Sequence, residues 1–509
     1  MRLANERRRW WALFALLGMA TTAWALASPL MAGHDESSHV VRAAAVARGH
    51  GFGRPAPDAF PPEPNVFIEV PAPEAYALAK RVGCFNKRRD VTPDCAPSFA
   101  GGHDVDWVLT YQFRSQPAYY AAVGWTSLID PAADGVYAMR VVSGLLCAAL
   151  LASAFTSARV GAHPRWTVLG VAVALTPEAL YLAGSVNSNA VEVAAAVGVW
   201  AALLALTRVD GPAPARLVTR AGVAMVVLVG TRGLSPLFGA MIVALVALLL
   251  GRDRSVDLLR RRDVRWWAVA VAGTAVTSLA YVEWVRRQLP IERAGQGLGT
   301  AVDQLGWYLR QGVGIFGSND IPLPWPVYAI WALALLCVVV AAVSRFDGRG
   351  SLVLAATVAA GIGIQIGAEG FSLPPIGFFW QGRYALPLLV GVPMVATTVV
   401  ATATGPARVR LDRVALVTGP LAALTVAGHL LGFLQAARRF AVTLDGPANP
   451  LEWMGEQRWT PPPGPILVWT VVFLVGIGAA TAVALLPGPR VQVSSTSTST
   501  DTGPPSSGA

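Results

Sequence analysis

The sequence predicts an all-α polytopic membrane protein, a bundle of about 11–12 transmembrane helices with a large first extracytoplasmic loop carrying surface helices. Three observations predict it. Of the 509 residues, 54% are hydrophobic and only 14% charged, and the mean hydropathy is +0.50, well above that of a soluble chain. Apolar runs of spanning length recur along nearly the whole chain. The arginines gather in short clusters between those runs, which is how a bilayer orients a chain. The net charge of +10 therefore serves topology and does not point to nucleic acid.

The first run, Trp10 to Leu30, follows Asn5-Glu6-Arg7-Arg8-Arg9 and has small residues from Ala25 to Ser28, as a signal peptide would. Its length exceeds a signal core, so residues 1–30 read as an uncleaved N-terminal anchor. Residues 31–134 form a polar extracytoplasmic loop that opens on Gly33-His34-Asp35-Glu36-Ser37-Ser38-His39. Two parts read as surface helices: Asp35 to Arg48, closed by Gly49 at C′, and Pro117 to Leu128, opened by proline in its first turn. Gly51 to Arg114 between them shows no clear periodicity and reads either as a lid or as an acceptor site. If this loop is extracytoplasmic, Cys84 and Cys95 can form a disulfide; otherwise they are two free thiols. Cys147 and Cys337 lie inside apolar runs.

The multi-span domain, 135–488, holds runs at Val136 to Ser157, Trp166 to Ala183, Ala190 to Thr207, Ala221 to Val229, Leu234 to Leu250, Trp266 to Trp284, Val327 to Val343, Leu352 to Gly370, Ala385 to Ala403, Val414 to Leu434 and Ile466 to Leu486. Ala221 to Val229 is short, and Gly230-Thr231-Arg232-Gly233 breaks it from the next run, so one interrupted helix and a lower count is the alternative. Residues 489–509, with Ser-Thr repeats, read as a disordered cytoplasmic tail. Placing the amino terminus inside puts the arginine-rich connections, among them Arg252 to Arg265 and Arg408 to Arg413, in the cytoplasm, with both termini. Every chemically unusual loop then falls on the outer face.

On a helix beginning near Asp35, positions 35, 39 and 42 share one face, so Asp35, His39 and Arg42 can point together at a ligand. A carboxylate there can act as a general base or bind a divalent cation. The bland alternative makes Asp35 an N-cap and Glu36 a dipole complement. In Phe378-Phe379-Trp380-Gln381-Gly382-Arg383-Tyr384 an arginine can hold a phosphate bidentately with aromatics at headgroup level; an interfacial belt with a snorkelling arginine is the alternative. Arg232, between two apolar runs, calls for a partner, whereas Arg140 can snorkel outward. His163 and His429 read as packing residues. No phosphate loop, zinc spacing or serine-hydrolase elbow is present.

Three motifs together, Asp35-Glu36-x-x-His39 with Arg42-Ala43, Gln116-Pro117-x-Tyr119-Tyr120 and Gln381-Gly382-Arg383-Tyr384, resemble those of a bacterial membrane-protein family of unknown function grouped with the GT-C glycosyltransferases. The resemblance runs from about Trp10 to Leu434. It implies a GT-C-like bundle in the bacterial cytoplasmic membrane that moves a sugar, with inversion, from a polyprenyl-phosphate donor to a cell-envelope glycan or lipid acceptor on the outer face. It also implies Asp35 or Glu36 as base, oriented by His39, and substrate-binding roles for Arg42, Gln116, Tyr119, Tyr120, Arg232, Gln381, Arg383 and Tyr384, with Arg383 on the lipid phosphate. The chain departs from the family in having Asn187 and Asn189 where a further acid is expected, and Gln116 where a histidine is. The lost acid weakens a divalent site (Mg or Mn) on Asp35 and Glu36, so no cofactor is certain and a metal-independent mechanism is open. A reading from another class, a transporter or flippase of a lipid-linked or anionic solute, rests on Arg140, Arg232 and the interrupted helix. A scaffold without turnover is the third.

Overall fold

The structure, a computed structural model, describes residues 2–59, 66–209, 211–289, 297–345, 347–372, 380–402, 407–462 and 464–486. The expected tail, 489–509, and the aromatic pair Phe378-Phe379 lie outside them.

Helix α1 (Arg2–Ala27) crosses first, and after a turn α2 (Glu36–Ala47) begins. Arg48 caps α2 and Gly49 follows at φ 86°, as expected of a C′ glycine. The long loop then forms an antiparallel sheet of β1 (Arg54–Pro55), β2 (Ile68–Pro73) and β3 (Val105–Thr110) in the order β1-β2-β3. This small sheet lies in the loop of a chain that is otherwise mostly helical, as the all-α expectation has it. Pro71 and Pro73 hide it, because two prolines argue against an inner strand. They are tolerated here since β1 pairs only with Ile68 and Glu69, leaving one side of β2 an edge beyond them. The buried side chains Ile68, Val70, Ala72 and Val108 join a core with Val40, Val41 and Ala44 of α2.

Between β2 and β3 lie α3 (Ala79–Val82) and the Cys84–Cys95 disulfide, with Cα atoms 6.2 Å apart. After β3, α4 (Pro117–Gly124) continues as a 3-10 turn to Leu128, matching the second surface helix. It crosses α2 at backbone contact: a Cβ on Gly124 would stand 2.1 Å from the Ala43 carbonyl oxygen.

The membrane part follows as α5 (Ala133–Ala158), α6 (Pro164–Ala174), α7 (Pro177–Ala183), α8 (Ser188–Leu206), α9 (Ala215–Val229), α10 (Ser235–Leu250), α11 (Arg252–Arg260) and α12 (Arg262–Gln288). Then come α13 (Leu298–Asp303), α14 (Leu305–Gly314), a hairpin of β4 (Ile315–Phe316) and β5 (Ile321–Pro322), α15 (Trp325–Val343) and α16 (Gly348–Ser372). A 3-10 turn at Gly382–Ala385 leads into α17 (Leu386–Leu389) and α18 (Gly391–Thr402), then α19 (Ala407–Val442), α20 (Pro450–Trp453) and α21 (Ile466–Leu485). Almost fully buried, α8 sits at the centre against α5 and α9, while α1 packs between α5 and α21.

Nine helices among the described residues are long and apolar enough to cross a membrane, or up to eleven if each bent pair is one span. The expected run at Ala221–Val229 falls in α9, whose 15 residues are too few to be counted. The run Trp166 to Ala183 is not one helix but α6 and α7, bent by 68°. Pro177 cannot continue the helical ladder, and the Thr176 hydroxyl accepts from the Ala179 N–H to start a new helix.

One long-range tie closes the loop between α2 and α4. Arg439 of α19 is fully buried and donates to the carbonyls of Phe85, Arg88 and Val91, each at 2.8 Å, so it clamps the disulfide loop from the far end of the chain.

Candidate active site at the outer turn of α2

The site is built on Glu36. Its Oε1 and Oε2 accept from Arg140 Nε and Nη2 at 2.7 and 2.6 Å, and both groups are wholly buried. Gly33 N–H donates to Oε2 and Val186 N–H to Oε1, each at 3.0 Å. Arg140 spends its remaining donors on the carbonyls of Ala25, Ser28 and Pro29. Glu36 and Arg140 thus join the end of α1, the start of α2, the middle of α5 and the turn before α8. Both readings made for them from the sequence need correction. Arg140 does not snorkel, and Glu36 has no lone pair left for a reacting group or a metal, because a bidentate guanidinium and two amides occupy it.

With Glu36 fixed inward, Asp35 takes a left-handed conformation at φ 57° and makes no cap bond, so the N-cap alternative is not what forms. Its side chain turns the other way and stays 30% exposed. Oδ1 accepts from the Tyr111 hydroxyl at 2.8 Å, and Oδ2 from Arg383 Nη2 at 3.1 Å. Burial works to raise the Asp35 pKa, but the Arg383 guanidinium and the Tyr111 hydroxyl outweigh it and leave it below the ordinary value. Burial also pushes Tyr111 up, reinforced by the Asp35 charge, so its phenol remains a donor.

His39, one turn along, hydrogen-bonds through Nδ1 to the Tyr120 hydroxyl at 2.9 Å. Burial drives its pKa down to about 3 against the pull of Asp35, so the ring is neutral. The signs fix a pH dependence. Asp35 stays ionised as the pH falls until its depressed pKa is reached, and His39 does not titrate between about pH 5 and 8. The acid limb of kcat/KM is therefore expected below the ordinary aspartate range, with no inflection near the free imidazole value. An inflection near that value in the wild type, lost in His39→Gln, would contradict this assignment.

Cations come from two further elements and from α2 itself. Arg383 is buried; its Nη1 contacts the Gln381 side chain and its Nε has no partner among the described residues. Gly382 lets this turn close on α14, since a Cβ there would meet the Tyr308 carbonyl at 1.8 Å. Gln381 is itself steadied by Asn319 Nδ2 of the β4–β5 hairpin at 3.2 Å. Arg232 pairs with Glu192 at 3.1 Å, the partner its place between apolar runs required, and lies 4.3 Å from the Tyr384 ring centre. Arg42 is fully buried, donates through Nη2 to the Tyr281 hydroxyl at 2.9 Å, and leaves Nε and Nη1 unpartnered.

Of the other sequence candidates, Tyr120 belongs here through His39, and Tyr384 through the two arginines on its ring. Gln116 ties α4 to α12, giving Nε2 to Ser278 Oγ at 2.6 Å. Tyr119 shares a hydrogen bond with the Ser143 hydroxyl of α5 at 3.0 Å. Asn187 caps α8 and donates to the His34 carbonyl. The acid absent at 187–189 stands one turn later: Glu192, the single acid in an otherwise apolar helix, also accepts from Asn189 and Ser235. That isolation was its readable signal. Tyr111 carried none.

Among the described residues no cluster of three or more His, Cys, Asp or Glu could hold a metal ion. The pair Asp35 and Glu36 does not fit a divalent cation, for Glu36 is saturated and Asp35 already faces a guanidinium.

No curated protein matches the chain. Two crystal structures of ArnT from Cupriavidus metallidurans, one bound to undecaprenyl phosphate and one in the apo state, are similar over 94% of this chain and 76% of theirs. The identity is 13% and the TM-scores are 0.46 and 0.44, a likeness too distant to carry an argument about the site. A family described as "Predicted membrane protein (DUF2142)" matches residues 16–392, which span Asp35, Arg42, Arg232 and Arg383. This chain belongs to that family.

Proposed function

We propose that the chain is an inverting membrane glycosyltransferase of the GT-C type that takes a sugar from a polyprenyl-phosphate donor and gives it to a cell-envelope glycan or lipid acceptor. One observation carries the reading. A partly exposed carboxylate, Asp35, pairs with Arg383, whose Nε has no partner among the described residues, and further along α2 Arg42 keeps Nε and Nη1 unpartnered beside Tyr120. Spare guanidinium N–H donors suit a phosphate, and the acid beside Arg383 suits a hydroxyl to be activated. The motifs that resemble the GT-C family support the same reading, as does the membrane bundle.

In the step, the acceptor hydroxyl loses its proton to an Asp35 oxygen as its own oxygen bonds to the anomeric carbon. The bond from that carbon to the phosphate oxygen breaks, and the electron pair leaves with the lipid phosphate, whose added charge Arg383, Arg42 and Arg232 stabilise. The arriving phosphate competes for Arg383 and adds negative charge, and both effects raise the proton affinity of Asp35 when it is needed. Tyr111 and Arg383 hold the acid in place until the phosphate arrives. The outer face of a bacterial cytoplasmic membrane, with both termini inside, is the setting this requires.

The test is transfer of radiolabelled sugar by the purified protein from a panel of polyprenyl-phosphate donors, with and without a chelator. Transfer that persists with the chelator is the expected result. Donor that binds but is never transferred would favour the transporter reading, which the break at Arg232 between α9 and α10 motivates; flipping that needs Arg232 but not Asp35 would establish it.

A further inference from the structure

Five non-glycine residues among those described hold a left-handed backbone: Met31 (φ 63°), Asp35 (φ 57°), Lys87 (φ 61°), Asn319 (φ 63°) and Thr443 (φ 74°). Such conformations cost energy outside glycine and persist where the surrounding structure over-determines them. Four of the five lie on one closed circuit of contacts. The fifth, Thr443, gives its N–H to the carbonyl of Arg439 at 3.2 Å, beside that circuit.

The circuit starts at the turn before α2, where the Met31 carbonyl accepts from Asn86 Nδ2 at 2.9 Å. Asn86 lies in the segment closed by the Cys84–Cys95 disulfide. The next residue, Lys87, donates its N–H to Asp320 Oδ2 at 3.1 Å, which carries the path to the β4–β5 hairpin, and Arg439 stands 3.9 Å from the same oxygen. Asp320 Oδ1 accepts the Ser318 N–H at 2.8 Å and so shapes the hairpin tip that bears Asn319. Asn319 donates to Gln381 and accepts from Gln311 Nε2 at 3.4 Å, while Gln311 Oε1 takes the Gly382 N–H at 2.7 Å. Gln381 meets Arg383, and Arg383 returns to Asp35, four residues on from Met31. Tyr181 steadies the base of the hairpin, donating to the Ala32 carbonyl at 2.7 Å and accepting the Gly317 N–H at 3.1 Å. Its tip is aimed by Asp320.

In a closed circuit each contact is held by the others. The direct Asp35–Arg383 contact is the link that an arriving phosphate opens, and the path through Asn86, Lys87, Asp320 and Gln381 is then what keeps the acid and the guanidinium at their spacing. We infer that Asn86 and Asp320 are positioning residues, and that the disulfide-closed segment is a brace that sets Asp35 against the Arg383 turn. That this spacing serves sugar transfer rests on the function proposed above. The brace itself does not.

The experiment compares full-length wild type with Asn86→Ala and Asp320→Asn in detergent. Arg54→Ala is the control in the same loop, since its exposed pair with Glu69 counts for little. Asparagine at 320 keeps an oxygen for the Ser318 N–H but sets an amide donor against the Lys87 N–H. Amide hydrogen exchange, read by mass spectrometry, should quicken about 10-fold at residues 31–36 and 381–385 together in either variant, and at neither in Arg54→Ala. The kcat for transfer per folded molecule should fall about 10–100-fold in both variants, while the Kd of polyprenyl phosphate stays within about threefold because the arginines are kept. A merely destabilised protein loses folded molecules and not kcat per folded molecule. Exchange that quickens only on the substituted residue's own side, or equally in Arg54→Ala, overturns the brace. Unchanged kcat in both variants of a wild type that transfers sugar overturns the positioning role. A wild type that transfers nothing rejects the transferase reading alone, and exchange then decides the brace.

Discussion

Asparagine at position 35 should lower kcat/KM for transfer by about 10²–10⁴-fold while the protein stays folded in the membrane. The amide keeps the size of the carboxylate and an oxygen for the Tyr111 hydroxyl or Arg383, but it cannot take a proton. Loss of the Asp35–Arg383 pair should cost little stability, because Asp35 is 30% exposed and solvent screens the pair. Donor binding should survive or tighten, since Arg383 is released toward the phosphate. Turnover unchanged from wild type in Asp35→Asn would reject Asp35 as the base, whatever the fate of the rest of the site.

The second large effect falls on folding. Glu36→Gln leaves Arg140 buried with three backbone carbonyls and no counter-charge, and removing one member of a buried pair costs about 3–5 kcal/mol. The unfolding midpoint and the yield in membranes should both drop sharply. Transfer per folded molecule should stay near wild type, because Glu36 touches nothing that faces Asp35's ligands. Replacing Arg140 by methionine in the same chain should recover part of the loss, as the orphaned charge is then gone. A near-native midpoint together with lost turnover would instead make Glu36 a reacting group. Two adjacent acids are thereby separated by opposite readouts.

Much of this was legible beforehand, and the remainder fails for identifiable reasons. Helix α2 and its glycine stop follow from local signals, and so does the proline start of α4. That Asp35 and Arg383 both sit at outer turns follows from the charge pattern, but their contact, 348 residues apart in sequence, does not. The shared helical face brought Asp35, His39 and Arg42 toward one place, though Asp35 stands outside the helix and reaches the site through its left-handed backbone. Glu36 looked equivalent to Asp35 because only the fold reveals that Arg140, 104 residues on, claims it. The bend at Thr176–Pro177 was concealed by an unbroken apolar run, although a threonine before a proline is itself a helix-start signal.

The clamp made by Arg439 has a bearing on how the protein is made. All the site residues, Asp35 to Tyr384, are translated before Arg439, yet the loop that carries Cys84 and Cys95 has its carbonyls met only when α19 is in the membrane. A nascent chain can therefore hold every reacting group and still lack a finished outer surface, the situation in which partly assembled proteins are most exposed to misfolding and proteolysis. Completion of this fold is a late, end-to-end event.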